Sequence, residues 1–272
     1  MLKRIIEANT IKQGSAITYT TAAGSSEILN ASQANNAIEN SGIFVGSRMK
    51  LNRYYSGDLS SGSSGPTAVT YTIAAGADDG KASDLQTSAS TNSTYDAAFS
   101  NSIALPFLGV QYDSDEVEYD YYASYFRFNN IAAAQGATVQ SAYLKVNKRG
   151  GSFTSGVDND FYVAAYDADN KAAPTNAAGL NHSNYTAAEV TWNSATDTGN
   201  GTLRSAANGT VLSSPDIKTV IQEILDRSGW STGNSIVLAF YAKSRVQYKN
   251  TYVTVEHYDD SGDVPPQLEI TI

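Results

Sequence analysis

The segment Ser213–Lys243 (SSPDIKTVIQEILDRSGWSTGNSIVLAFYAK) constrains the fold more than any other part of the chain. Its apolar residues recur at intervals of three and four, which predicts an amphipathic helix over about residues 214–228. Ser214 is a suitable N-cap for this helix. The run Ile236–Tyr241 is apolar throughout, and this predicts a strand that is buried on both faces. The apolar face of the helix comprises Ile217, Val220, Ile221, Ile224 and Leu225.

Short segments in which apolar and polar residues alternate dominate the chain from about residue 67 onward. In Ser141–Val146, for example, Leu144 faces one side of a strand, and Tyr143 and Lys145 face the other. Many short strands, separated by turn-forming residues and accompanied by one helix, predict an all-β sandwich for residues 67–272. Similar alternation occurs at Val69–Ile73, Phe161–Tyr166, Tyr252–Glu256 and Leu268–Ile272.

Residues 1–66 differ in composition from the rest of the chain and end in a Gly/Ser-rich stretch, Ser56–Pro66 (SGDLSSGSSGP). They are predicted to form an N-terminal arm or a small anchoring subdomain, and the Gly/Ser stretch is its linker. The first residues (MLKRIIEANTIKQGS) contain no long apolar stretch and no cleavage site, so they are not predicted to be a secretory signal. No transmembrane segment is predicted, which argues against insertion into a membrane.

The composition excludes several classes of function. The chain has 272 residues and a formal net charge of −9, so sequence-independent binding to nucleic acid or to an anionic membrane is disfavoured. It contains no cysteine, which rules out disulfides and thiolate metal sites. Only 17% of the residues are charged, and uncharged polar residues make up the difference. This composition is typical of extracellular or particle-associated β proteins.

Several strings resemble the DNRLRE-type modules, a jelly-roll group related to certain carbohydrate-binding modules. The resemblance covers about residues 67–272 and implies a jelly-roll β-sandwich with one helix packed over an end or an edge. Modules of this kind occur in cell-surface enzymes, wall proteins and phage structural proteins, so the resemblance implies a fold without selecting a function. The strings are YFRFNNIAAAQGATVQSAYLKV (Tyr125–Val146), ADNKAA (Ala168–Ala173), AAEVTWN (Ala187–Asn193), SPDIKTVIQEILDRSGWSTGN (Ser214–Asn234) and PPQLEITI (Pro265–Ile272).

The sequence offers no catalytic constellation. Its two histidines, His182 and His257, lie far apart without a nucleophile motif nearby, and each is interpreted as a solvated loop residue. The carboxylates of Asp113–Asp120 crowd into one stretch and would repel one another rather than face each other across a substrate. This stretch is interpreted as a solvated or interface loop. The chain is therefore predicted not to be an enzyme.

Aromatic side chains are the candidates for a glycan-binding or protein-binding surface. Flat rings stack on the faces of sugars, and tyrosine is enriched in protein interfaces. Tyr119, Tyr121 and Tyr122 are predicted to be exposed and available for either role. Trp192 and Trp230 are also candidates, although packing against the helix and the core is the stronger interpretation for both.

Three loops rich in carboxylates are candidates for a structural calcium site, because Ca²⁺ prefers several oxygen ligands. None of them has the spacing of an EF-hand, so solvated turns are the favoured interpretation and no cofactor is required. The candidate ligands are Asp78, Asp79, Asp158, Asp160, Asp167 and Asp169.

These observations favour a non-enzymatic structural protein of a phage or virus-like particle, such as a head decoration (cement) protein or a tail or fibre component. Its expected partners are other copies of itself, with a trimer as one form of the homo-oligomer, and a capsid or tail protein. The alternative is a carbohydrate-binding or adhesion module of a cell-surface or secreted protein, which would bind a host-surface glycan. Both hypotheses place the protein on a virion or on an extracellular surface.

Overall fold

The chain divides into two compact units, Met1–Gly65 and Pro66–Ile272. In the first unit, β1 (Ile17–Thr20) and β2 (Ser26–Leu29) form an antiparallel pair. Apart from these two strands and Pro66, the predicted arm lies outside the described residues. The structure, a computed structural model, describes residues 17–20, 26–29, 66–88, 91–101, 106–259 and 264–272.

A curled antiparallel sheet of twelve strands forms the second unit. The strands follow the spatial order β10–β9–β12–β7–β6–β13–β8–β14–β3, while β11 pairs with β8, β4 pairs with β7, and β5 pairs with β4. The predicted all-β, sandwich-like class is confirmed. The strands are β3 (Ala68–Thr72), β4 (Asp79–Gln86), β5 (Ala98–Ser100), β6 (Phe107–Asp113), β7 (Glu118–Phe128), β8 (Ser141–Phe153), β9 (Asp160–Tyr166), β10 (Tyr185–Asn193), β11 (Val211–Ser213), β12 (Ile236–Ala242), β13 (Thr251–Val255) and β14 (Gln267–Thr271).

The apolar run Ile236–Tyr241 lies in β12, an interior strand of the sheet. This strand lies between β9 and β7, and all seven of its residues are buried. A strand that is covered on both faces can be apolar at every position, because neither face meets water. The prediction of a strand buried on both faces is confirmed.

The described residues contain one α-helix, α1 (Lys218–Leu225), which is shorter than the predicted span of 214–228. Its predicted apolar face is buried, and Ile217 at the N-cap position is buried as well. The same described residues include three short 3₁₀ helices, at Gly76–Asp78, Ala177–Leu180 and His182–Asn184. None of the helices that the structure describes has the length and apolar character that a membrane crossing requires.

Ser214 does not cap α1, so this prediction is wrong. Its hydroxyl accepts a hydrogen bond from the Leu144 N–H at 3.0 Å and donates one to the Pro215 carbonyl at 2.7 Å. The Asp216 carboxylate instead accepts hydrogen bonds from the N–H groups of Lys218 and Ala142, each at 3.0 Å. The helix starts late because the residues before it attach the chain to β8.

Strand β8 pairs with two different groups of strands, and these groups are the two parts of the curled sheet. Its first half pairs with β14 and β11, and its second half pairs with β13. Gly151, in the second half, has a φ of +141°, and a Cβ atom there would lie 2.6 Å from the carbonyl oxygen of Tyr252. Only glycine fits this position easily. Glycine at position 151 therefore allows the backbone of β13 to approach β8 closely.

Candidate functional site

Tyr119 and Tyr121 are buried, so the prediction that they are exposed is wrong. Both lie in β7, which pairs with β4 on one edge and with β6 on the other, and at most 1% of either residue is exposed. The sequence interpretation treats Asp113–Asp120 as a loop. The chain in fact turns at 114–117, and Glu118 begins a strand whose alternate side chains point into the core.

Tyr122 points to the opposite face of β7 and is half-buried. Its ring lies 5.0 Å from the ring of Phe107. Its hydroxyl donates to Asp120 Oδ2 at 3.3 Å and lies 3.4 Å from Gln111 Oε1. Burial, together with the negative charge of Asp120, raises the pKa of Tyr122 well above its ordinary value. The ring and the hydroxyl are thus already engaged by neighbours in the same sheet.

Both tryptophans belong to the core. Trp192 in β10 is 1% exposed and stacks on Phe240 of β12, with ring centroids 5.2 Å apart and an angle of 12° between the ring planes. Trp230 is 2% exposed, and its Nε1 donates a hydrogen bond to the Ala133 carbonyl at 3.0 Å. Neither residue presents a ring face to solvent.

The first acidic pair proposed for calcium is divided between two environments. Asp78 accepts hydrogen bonds from Arg127 Nη1 at 2.9 Å and from Asn129 Nδ2 at 2.8 Å. Asp79 accepts one from the Tyr258 N–H at 3.0 Å and is almost fully buried. Burial raises the pKa of Asp79 to about 7, and the charges of Asp259 and Asp78 act in the same direction.

The other proposed calcium ligands are occupied by side chains of the protein itself. The guanidinium of Arg227 binds Asp167 and Asp169, and Asp169 Oδ1 lies 2.6 Å from Arg227 Nε. Asp158 forms an ion pair with Arg204, and Asp160 accepts a hydrogen bond from Asn193 Nδ2 at 2.7 Å. Within the described residues, no group of three or more histidine or acidic side chains is placed to hold a metal ion.

We expect the thermal unfolding midpoint of the protein to be the same in millimolar calcium as in EDTA. Arginine side chains already neutralise the Asp167–Asp169 pair and Asp158, and an arriving cation would have to displace them. Differential scanning calorimetry measures this, with magnesium as a control for non-specific effects of divalent ions. A rise of several degrees in calcium but not in magnesium would contradict the expectation.

His182 lies inside a cluster of tyrosines, which the sequence interpretation as a solvated loop residue misses. Its ring centroid is 4.4 Å from that of Tyr241, and its Nε2 is 3.4 Å from the hydroxyl of Tyr95. Burial, with a smaller contribution from the charge of Lys243, lowers the pKa of His182 to about 4. His182 remains partly exposed, whereas His257 is buried, so the solvated interpretation is wrong for His257 and incomplete for His182.

The chemistry available in this cluster is limited. Burial raises the pKa values of Tyr95 and Tyr241 above that of free tyrosine, so their hydroxyls stay protonated near neutral pH. The Tyr241 hydroxyl donates to Glu189 Oε2 at 2.9 Å, and Glu189 also pairs with Lys243. His182 is neutral at the same pH. The cluster therefore behaves as polar core packing at the side of β12.

A shallow groove of about 410 Å³ lies where the outward faces of β8, β11 and β14 meet. Because Ala142, Leu144 and Val146 point into the core, Tyr143 and Lys145 point outward. The register of the sheet places Glu269 of β14 directly opposite Tyr143. The groove is lined by Tyr143, Lys145, Thr198, Ser213, Ser214, Pro215 and Glu269.

The polar groups of this groove are held in place. Lys145 Nζ and Glu269 Oε2 are 2.7 Å apart, and about a quarter of each side chain is exposed. The hydroxyl of Thr198 donates to the Ser213 carbonyl at 2.6 Å. A partly exposed ring beside an ion pair and hydroxyl groups is suited to a ligand that has both apolar faces and hydroxyls.

No protein-family model matches the chain, and the comparison with curated proteins found no match. Alternation in Ser141–Val146 signals that Tyr143 and Lys145 share the outer face of a strand. The contribution of Glu269 depends on the pairing of β14 with β8, and local sequence carries no signal for that pairing.

Proposed function

We propose that this chain is a non-enzymatic structural protein of a phage or virus-like particle, acting as a head decoration protein or as a tail or fibre component. The observation that carries this proposal is that hydrogen bonds and ion pairs from the protein's own side chains hold the loops of the sandwich together. Such a module keeps a fixed outer surface without disulfides, which suits a component of a particle surface.

Arg127 is the clearest example of a side chain that holds several loops together. Its guanidinium donates to Asp78 Oδ1 at 2.9 Å, to the Lys171 carbonyl at 3.0 Å and to Ser235 Oγ at 3.1 Å. These three acceptors belong to segments that are far apart in the sequence. A guanidinium with several fixed acceptors holds its partners in a defined geometry. Arg127 thereby fixes the loops at one end of β7.

Glu223 of α1 holds a second pair of segments together through hydrogen bonds. Its two carboxylate oxygens accept hydrogen bonds from the backbone N–H groups of Ala187 and Ala188 in β10, at 2.9 and 2.7 Å. Arg227, one turn further on, binds Asp167 and Asp169 in the loop after β9. The helix is therefore attached to two neighbouring segments by charge-assisted hydrogen bonds.

Light scattering after size exclusion, on the full chain and on residues 66–272 side by side, tests the structural role. We expect the full chain to form a homo-oligomer, and circular dichroism establishes that the shorter protein is folded. Co-sedimentation with particles that lack the protein then tests docking. A full chain that remains monomeric at high concentration and binds no particle component would contradict the proposal.

A second candidate function, a carbohydrate-binding or adhesion module, is favoured by the groove at Tyr143. Rings of aromatic residues stack on sugars, and charged side chains such as Lys145 and Glu269 can bind sugar hydroxyls in pairs. A module on a particle surface can also bind a glycan, so the two functions are compatible.

We expect Tyr143→Ala to weaken the binding of a responding polysaccharide by at least about tenfold, because the stacking surface is removed. Tyr143→Phe should retain most of the affinity. Tyr248→Ala removes another exposed tyrosine, 53% exposed and outside the groove, and should leave binding unchanged. Isothermal titration calorimetry of the full chain, after a screen of polysaccharides, measures these affinities. Equal binding by the wild type and Tyr143→Ala would contradict the assignment of the groove.

A further inference from the structure

Within the part of the chain that the structure describes, one edge of β3 carries unpaired backbone groups at regular intervals. Among the described residues, β3 pairs only with β14. Thr67 and Ile272 exchange two backbone hydrogen bonds, at 3.0 and 3.3 Å, and the Ile73 N–H donates to the Pro266 carbonyl at 3.4 Å. Hydrogen bonds in an antiparallel ladder involve every second residue. The N–H and C=O groups of Ala68, Thr70 and Thr72 therefore point away from β14.

This edge lacks the features that usually keep sheet edges from pairing. Charged side chains, prolines and bulges normally protect an edge strand. β3 (AVTYT) contains no charge and no proline, and its pairing with β14 has no register shift. The residues whose backbone groups point away from β14 are all small or β-branched and uncharged; they are Ala68, Thr70 and Thr72.

The edge formed by β10, at the other end of the same sheet, is protected. Its register with β9 shifts between Tyr185 and Glu189, which marks a bulge or an irregularity. The carboxylate of Glu223 accepts hydrogen bonds from the N–H groups of Ala187 and Ala188, which lie in this irregular stretch. Glu189 adds a charge to the strand itself. The β10 edge is therefore protected against pairing with another strand, whereas the β3 edge is not.

Val69 shows that the apolar face of the sheet is incompletely covered at β3. It lies opposite Ile270 of β14, whose side chain is buried. Val69 is nevertheless 38% exposed. The described core stops at this strand, so a further strand on the same edge would cover Val69 and extend the inner face.

We propose that β3 pairs antiparallel with β3 of a second copy of this chain, around a two-fold axis that passes beside Thr70. Thr70 then faces its own equivalent, and Ala68 faces Thr72 of the second copy, which allows about six backbone hydrogen bonds. On the inner face, Val69 of each copy contacts Tyr71 of the other. The interface is self-complementary because both copies use the same short strand.

A second copy can approach this edge without repulsion between charges at the contact itself. The chain carries a net charge of −9, so two copies repel each other over most of their surfaces. Every residue of β3 is uncharged, and the charges nearest to it in the sheet, Glu269 and Lys145, already form an ion pair. This inference rests on the proposed structural role, because it specifies the contact through which the oligomer forms.

Sedimentation velocity of the full chain over a wide concentration range tests this contact. Thr70→Pro removes the central outward N–H and adds no charge, and a proline is tolerated at an edge position whose N–H faces solvent. We expect the dissociation constant of the two-fold contact to rise by at least about tenfold. Thr70→Val keeps the N–H and should assemble like the wild type. Val69→Lys, which puts a charge on the inner face of the edge, should disrupt assembly independently.

The outcomes separate this inference from the proposed function. Loss of assembly in Thr70→Pro and Val69→Lys, with unchanged circular dichroism and with Thr70→Val intact, supports the β3 contact. Assembly that survives both disruptive variants overturns the contact and leaves the structural role standing. A wild-type chain that is monomeric at every concentration overturns the contact and also the oligomer that the structural role requires.

Discussion

Replacing Trp192 with alanine is expected to lower the free energy of unfolding by about 3–5 kcal/mol. The side chain is 1% exposed and stacks on Phe240 in the buried strand β12, so its removal leaves a large cavity in the core. Urea denaturation followed by tyrosine fluorescence and circular dichroism measures the change. The effect is large because the ring is buried. From the sequence alone, the same ring was also a candidate for stacking on a sugar.

Trp192→Phe is the matched control. The buried Nε1 of Trp192 finds no hydrogen-bond partner among the described residues, so phenylalanine removes an unsatisfied donor while keeping an aromatic ring. We expect Trp192→Phe to cost much less than Trp192→Ala. If Trp192→Ala were as stable as the wild type but bound polysaccharide less well, the assignment of this residue to the core would be wrong.

Asp79→Asn is expected to raise the free energy of unfolding at pH 8 by about 2–4 kcal/mol. Burial raises the pKa of Asp79 from 3.8 to about 7, so the folded state resists ionisation more than the unfolded state does. The wild type therefore loses stability as the pH rises through this window. Asparagine cannot ionise, and its side-chain oxygen can still accept the hydrogen bond from Tyr258. At pH 3.5 the two proteins should be about equally stable.

Chemical denaturation at a series of pH values measures this difference, with Asp78→Asn as the control. Asp78 is ion-paired with Arg127, so its replacement should destabilise the protein at pH 8. The lowered pKa of His182 acts with the opposite sign, since its contribution to stability is lost as the pH falls from 6.5 to about 4. That contribution is common to both proteins and cancels in the comparison. No gain for Asp79→Asn at pH 8 would contradict the raised pKa.

Local sequence patterns predicted the parts of the fold that depend on burial. The apolar run Ile236–Tyr241 lies in a strand that is buried at every position, and the apolar face of the helix is buried as its spacing requires. The helix boundary was not predictable from capping preferences. Ser214 and Asp216 hydrogen-bond to β8, and these contacts with a distant strand compete with the local cap.

The candidate site was predictable only in part, because long-range pairing decides it. The sequence places Tyr143 on the outer face of a strand, but Glu269 joins it only through the register of β14. The acidic loops suggested calcium because Arg227, which binds Asp167 and Asp169, is distant from them in the sequence. Tyr119 and Tyr121 lie beside acidic residues that suggest a loop, while the strand that buries them continues to Phe128.

The double pairing of β8 has a consequence for how the sandwich unfolds. Its first half belongs to the part of the sheet with β14 and β11, and its second half holds β13. Opening either part alone would strip partners from a strand that the other part also needs. The sandwich should therefore unfold as a single cooperative unit, and the slowest-exchanging amides of both parts should report the same opening free energy.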